Sequence, residues 1–228
     1  MEPILNHSWN LTESEATILQ HNLSLKVIKE DLFSEIRYIA GVDVAYSEQC
    51  DLLIAAVVIL EASSLNVVES VVVEDSVRFP YTPGLFSFRE LPPLVKAFKQ
   101  LKISPHLVVC DGQGIAHPRR FGLASHLGVL FDVPTIGCGK TRLLGDYEEP
   151  NLIRGSISPL KDKGEVIGNV LRTQNNIKPI FVSIGHRISL DTACKWVLRL
   201  SSKYRLPETT RQSDQLVKKS LANIQNFK

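Results

Sequence analysis

Three carboxylates stand at positions where acids are unusual or chemically useful. Asp43 lies inside the apolar segment IAGVDVAY, and strict strand alternation puts it on the same face as Gly41 and Ala45. A charge there is costly unless it is paired or bound to a metal. Asp111 ends a second apolar segment, HLVVCDG, and ligand sites in open α/β sheets favour the carboxyl ends of strands. Glu90, in SFRE, is a candidate third member. Hard oxygen ligands without clustered cysteine or histidine favour Mg²⁺, with Mn²⁺ as a substitute, and suit hydrolysis of a phosphodiester. Taken singly, Asp111 reads better as a helix cap or turn residue, and Glu90 as a solvated acid at a helix start. The set of three favours the metal.

The residues around these acids extend the pattern. Gly112 and Gly114 permit positive φ and a close approach of backbone to ligand, or an ordinary strand-to-helix turn. His117-Pro118-Arg119-Arg120 places Pro at an expected first helical turn, where free N–H groups and the Arg119 and Arg120 guanidinium forks suit phosphate. His126 falls on the same expected helix, and Lys140 repeats the strand-end placement of Asp111. The glycines and small residues Gly122, Ala124, Ser125 and Gly128 read foremost as tight packing of that helix on the sheet. Pro80-Tyr81-Thr82-Pro83-Gly84 stiffens the backbone on both sides of an aromatic ring, suited either to insertion into a base stack or to packing on its own loop.

Elements able to position these groups follow in order. Residues 11–30 form an outer helix with Thr12 and Glu15 as a capping box. IAGVDVAY, LLIAAVVIL and LNVVESVVVED, separated by SEQCD and EASS, make an antiparallel meander. A helix is expected in FSFRELPPLVKAFKQL from Pro92 or Pro93, then a strand in HLVVCDG, a helix over HPRRFGLASHLGVLFD and a strand in VPTIGCGK. GEVIGNVLRT and PIFVSIGH add two strands, and SLDTACKWVLRLSSKY a helix capped by Ser189. The polar stretch from about residue 207 reads as a loosely held, flexible tail. This order predicts an α/β fold of ribonuclease H-like type, a mixed sheet of antiparallel meander plus parallel strands flanked by helices, spanning 1–228 as one domain.

Composition sets limits on function. With 44% hydrophobic residues, 228 residues can bury one substantial core. A formal charge of +2, from 26 basic and 24 acidic residues, shows no overall polycation, so any basic surface must be local. Cys50, Cys110, Cys138 and Cys194 have no paired spacing, which argues against zinc and disulfides and for a reducing cytoplasm; Cys138 reads as a small buried residue, although Lys140 nearby leaves a reactive thiol open. No apolar run reaches membrane-spanning length, and a monomer without a membrane partner is expected.

The blocks IAGVDVAY, PYTPGLFSFRE, DGQGIAHPRRFGLASHLGVLFDVPTIGCGK, PIFVSIGHRISLDTA and YRLPETTR, in this order, resemble the endonuclease V family from about Ile39 to Arg211. The resemblance implies a ribonuclease H-like fold, Mg²⁺ held by Asp43, Glu90 and Asp111, and cleavage of the second phosphodiester 3′ to an inosine. It further implies a wedge role for Tyr81 within PYTP and support of activity by His117, His126 and Lys140. A pocket lined by backbone of Gly84, Leu85 and Gly112 would read hypoxanthine. Gln113 stands where a histidine is common in the family, and Cys138-Gly139 where Val-Ala is usual. Two other readings remain: a module that binds inosine in DNA or RNA without cutting, or an inosine-directed ribonuclease. A phosphotransferase of related fold lacks a glycine-rich phosphate loop of recognised spacing.

Overall fold

Strands β1 (Tyr38–Tyr46), β2 (Leu52–Glu61) and β3 (Val67–Ser76) pair as an antiparallel meander. The computed structural model describes residues 1–47 and 51–226, so Glu48, Gln49 and Cys50, in the expected SEQCD connection, lie outside the described residues. β2 is buried along eight of its ten residues. It is the middle strand of the meander and is covered on both faces, which is why LLIAAVVIL shows no alternation. β4 (Leu107–Cys110) then adds parallel to β1, and β5 (Thr135–Gly139) parallel to β4. β8 (Ile180–His186) runs antiparallel to β5 and is followed by β7 (Glu165–Leu171) and β6 (Ile157–Asp162), completing the order β3-β2-β1-β4-β5-β8-β7-β6. The mixed sheet expected from the sequence is therefore present. β6 escaped the sequence reading because Pro159 interrupts it; the sheet tolerates that proline because β6 is an edge strand.

Among the described residues five helices flank the sheet. α1 (Glu13–Ser24) begins at the predicted box: the Thr12 hydroxyl accepts from the Glu15 amide, and the Glu15 carboxylate accepts from the Thr12 amide at 2.8 Å. α2 (Phe86–Gln100) starts six residues before Pro92, so Pro92 and Pro93 sit inside it and not at its first turn. Each deprives a preceding carbonyl of its donor at a cost of about 3 kcal/mol. Phe88, Leu91, Leu94, Ala97 and Phe98 nevertheless share one buried stripe across the prolines, and that burial outweighs the missing bonds.

α3 (Leu123–Phe131) is also shorter than expected. The HPRR segment is irregular, with Arg120 at φ +54, a conformation no helix passes through. A Cβ at Gly128 would lie 2.3 Å from Thr135 Oγ1 and 2.5 Å from His186 Cβ, so the small residues of α3 serve close packing, as expected. α4 (Leu190–Leu200) begins at Ser189, whose hydroxyl accepts from the Thr192 amide.

The stretch from residue 207 is not a loose tail. It forms α5 (Glu208–Asn226), packed across β1 and β2 with Thr209, Thr210, Ser213 and Val217 buried. Its buried face is made largely of Thr and Ser, so hydropathy hid it. A Cβ at Gly41 would lie 2.2 Å from the Thr209 carbonyl oxygen, which explains the glycine. Among the described residues no helix is long and apolar enough to cross a membrane.

Candidate active site at the ends of two parallel strands

The three carboxylates arrive from different elements and act on one another. Asp43, within β1 and one residue past its last pair with β4, is pushed up to about 7, first by burial and next by the negative charge of Asp111. Glu90 is buried on α2. Burial drives it well above the usual carboxyl range; the Tyr46 hydroxyl, which donates to it at 2.9 Å, opposes this, while Asp43 and Asp111 reinforce it. The adjoining Tyr46 ring lies 4.9 Å from the Arg89 guanidinium. Asp111 follows β4 directly, and the Lys140 ammonium contacts it at 2.5 Å from the end of β5. Lys140 is held above its ordinary value because its bond and attraction to Asp111 outweigh burial.

Among the described residues no group of three or more His, Cys, Asp and Glu side chains already forms a metal-holding cluster. Two of the three acids are engaged instead by Tyr46 and Lys140. The donor chemistry nonetheless fits a hard divalent cation: the acids offer only oxygen, and their mutual repulsion is what a double positive charge relieves.

A fourth acid belongs to this neighbourhood. The charge of Asp214, on α5, raises both Asp43 and Lys140, and its carboxylate pairs with Lys218 at 2.8 Å. Sequence reasoning missed it by treating its segment as a tail. The available signal was the spacing of Val217, Leu221 and Ile224, which share one apolar cluster with Ala45 and Ala56.

Beside the acids opens a cavity of about 300 Å³, lined in part by Tyr81, Gly84, Ser87, Gly112, Gln113 and His117. Thr82 and Pro83 also border it, whereas Leu85 is buried against Ala16, Phe79 and Phe88, away from the lining. Tyr81 stands 72% exposed, so its ring is presented to solvent and not packed into the loop. Gly84, at φ +80, turns its carbonyl toward Gln20 Nε2 at 3.0 Å and Arg119 Nη2 at 2.6 Å. His117 also bonds to the Gly84 backbone. Burial and the neighbouring Arg119 lower the His117 imidazole to about 4, so it is neutral at physiological pH.

Several residues expected to meet a ligand are engaged within the chain. Arg119 spends its guanidinium on Gln20 and Gly84, and Arg120 pairs with Asp162 at 2.8 Å and Glu165 at 2.7 Å, so neither is a free phosphate fork. Gly114 admits the carbonyl of Ile184: a Cβ would lie 1.9 Å from that oxygen. His126 is fully buried among Trp9, Phe88 and Phe121, and its nitrogens meet His7 and Ser87, not the carboxylates. Cys138 is buried and its thiol is pushed well up by burial, an environment that disfavours the thiolate. Arg142 and Leu143, just past Lys140, line the cavity without having been singled out.

The two departures at Gln113 and Gly139 are one structural unit. A Cβ at Gly139 would lie 2.2 Å from Gln113 Nε2, the far end of a flexible side chain, so a larger residue there would displace the amide from its present seat. Gly139→Ala should therefore cost the chain less than about 1 kcal/mol through displacement of the Gln113 amide, and Gln113→Ala in the same chain should recover most of it. Denaturant midpoints of the double-mutant cycle measure the coupling; additive effects would refute it.

The chain matches the family model for Endonuclease V over residues 21–215. It is 54% identical over 202 residues to an endonuclease V of Rippkaea orientalis, covering 89% of this chain and 88% of the relative. The crystal structure of the Streptomyces avermitilis endonuclease V superposes with a TM-score of 0.92 at 46% identity, covering 97% of this chain and 98% of the other. The Ciona intestinalis endonuclease V, solved with a 24mer DNA containing an inosine followed by a ribo-adenosine, gives a TM-score of 0.81 at 29% identity, covering 92% and 98%. With the match spanning the β1 acid, the cavity loop and the strand-end acid together, this chain belongs to the endonuclease V family of nucleases.

Proposed function

We propose that this endonuclease recognises deoxyinosine in DNA and hydrolyses the second phosphodiester on its 3′ side, using Mg²⁺ held by Asp43, Glu90 and Asp111. The observation that carries the reading is continuity: Gly112 and Gln113 line the cavity and directly follow Asp111 in the chain. A purine turned out of the duplex into that cavity would thus lie beside the acids. When bound, the divalent cation supplies an activated water and polarises the phosphate. The chain's own groups do the rest. Asp43, Glu90 and Asp111 provide the oxygens, and Lys140 places a fixed positive charge against the developing phosphate charge. Neutral His117 shapes the cavity wall through Gly84. Exposed Tyr81 is placed to fill the stack that the extruded base leaves. Mn²⁺ would replace Mg²⁺, and we place the chain as a monomer in the cytoplasm, a compartment that suits its buried free thiols.

The deciding experiment compares strand cleavage of a duplex carrying one deoxyinosine with the same duplex carrying adenine, each in Mg²⁺ and in EDTA. Inosine-dependent and Mg²⁺-dependent nicking on the 3′ side is expected. Tight binding without nicking would favour a recognition module, and stronger cutting of inosine-containing RNA would reassign the substrate. Tyr81→Ala should weaken lesion affinity about 10-fold, the worth of one stacked aromatic, while sparing the single-turnover rate. A slowed rate with unchanged affinity would remove Tyr81 from the wedge role.

A further inference from the structure

We propose that Ser87 is held as a fixed hydrogen-bond acceptor in the cavity wall by two histidines in series, and that this acceptor discriminates against adenine. The inference rests on the inosine reading above and names the group that selects the base. The series starts at the N-terminal segment. His7 Nδ1 meets the Ser8 carbonyl at 2.8 Å, and a carbonyl only accepts, so that nitrogen carries the proton. Burial lowers both His7 and His126 from their ordinary values, so at neutral pH each ring carries one proton. His7 Nε2 is then a bare lone pair, and the His126 Nε2 that meets it at 2.9 Å must donate. The two ring planes are 27° apart with centroids at 5.1 Å, so the rings meet edge to edge as an in-line bond requires.

With its proton on Nε2, His126 presents a bare Nδ1 to the Ser87 hydroxyl, 3.0 Å away. Ser87 has one hydrogen and must give it to that nitrogen. Ser87 is part of the cavity wall, so to a donor there its oxygen has only lone pairs left to offer. The inner two members are insulated, His126 fully buried and Ser87 2% exposed, while the His7–Ser8 contact that starts the series is exposed.

The consequence lies in the chemistry of purines. Deamination of adenine replaces the lone pair at N1 by an N1–H. A fixed acceptor gains a hydrogen bond from hypoxanthine and faces lone-pair repulsion from adenine. Guanine also carries N1–H, so Ser87 acts against adenine specifically. In this role His126 and His7 are positioning residues, and Ser87 is the specificity-determining one.

The test has a spectroscopic arm and a kinetic arm. In ¹⁵N-histidine-labelled protein without nucleic acid, His126 should be the Nε2–H tautomer; the Nδ1–H tautomer would overturn the proposal. Ser87→Ala should narrow the inosine-over-adenine preference in kcat/KM about 3- to 10-fold, the worth of one hydrogen bond. His7→Leu should shift the tautomer and narrow the preference likewise, whereas His7→Gln, which keeps an acceptor oxygen, should preserve both. If His7→Leu does not fold, the tautomer in the wild-type chain and the Ser87→Ala ratio still decide. A wild-type chain with no inosine preference would sink the substrate reading and this one together. Normal wild-type preference with an unchanged Ser87→Ala ratio would sink this one alone.

Discussion

Replacing Asp43 by asparagine should cut inosine-directed cleavage about 1,000-fold or more and, at the same time, make the metal-free protein harder to unfold at pH 8. The first effect follows from removing a charged oxygen ligand, and Asp111→Asn should share it. The second follows from the raised carboxyl of Asp43. Its ordinary value is 3.8 and its value in the folded chain is about 7, chiefly because of burial and then because of Asp111. Between these values the folded chain keeps a proton that the unfolded chain has released. Stability from this group is therefore fully present below about 4, declines as the pH rises, and is lost above about 7. Asparagine has no charge to bury, so it should add on the order of 1–3 kcal/mol at pH 8 and nothing at pH 4. Thermal unfolding in EDTA at the two pH values, beside single-turnover cleavage in Mg²⁺, measures both. Near-normal cleavage by either variant would dismiss the metal assignment, and an equal gain at both pH values would dismiss the electrostatic account of Asp43.

Gly41→Ala should be strongly damaging for a change of a single methyl, as should Gly114→Ala. At Gly41 the new carbon would lie 2.2 Å from the Thr209 carbonyl oxygen and 2.4 Å from its carbon, both backbone atoms with no rotamer to yield. The strand or α5 must move, at about 1–3 kcal/mol. α5 carries Asp214, so cleavage should fall as well, by more than the loss of folded protein explains. Trimming Thr209 to alanine should not rescue the variant, because the clash is with main chain. Hydrogen exchange should show α5 amides losing protection before those of β4. Unchanged protection of α5 together with normal activity would show that the helix does not need this close seat.

Much of this arrangement was readable from residue order. Asp43 in mid-strand is costly in any fold unless something compensates it, so one residue within its strand already announced chemistry. The meander and the parallel strands were legible because alternation and short apolar runs are properties of each segment alone. α2 and α3 were misjudged at their starts because proline and glycine rules are local, whereas the buried stripe from Phe88 to Phe98 and the bent HPRR segment answer to tertiary packing. Arg119 and Arg120 looked like phosphate ligands for the same reason: their partners Gln20, Asp162 and Glu165 are distant in sequence.

The sequence by itself determined the run of strands from β1 to β5, the acids at β1 and β4, and the glycine- and proline-bounded loop bearing Tyr81. These depend on side-chain type and short-range spacing. Only the tertiary structure decided that Glu90 is buried beside Asp43, that α5 brings Asp214 to the same place, and that His126 faces His7 and Ser87 in place of the carboxylates. Each of those outcomes joins segments tens of residues apart, where burial and shape fit decide which of several chemically acceptable partners a side chain meets.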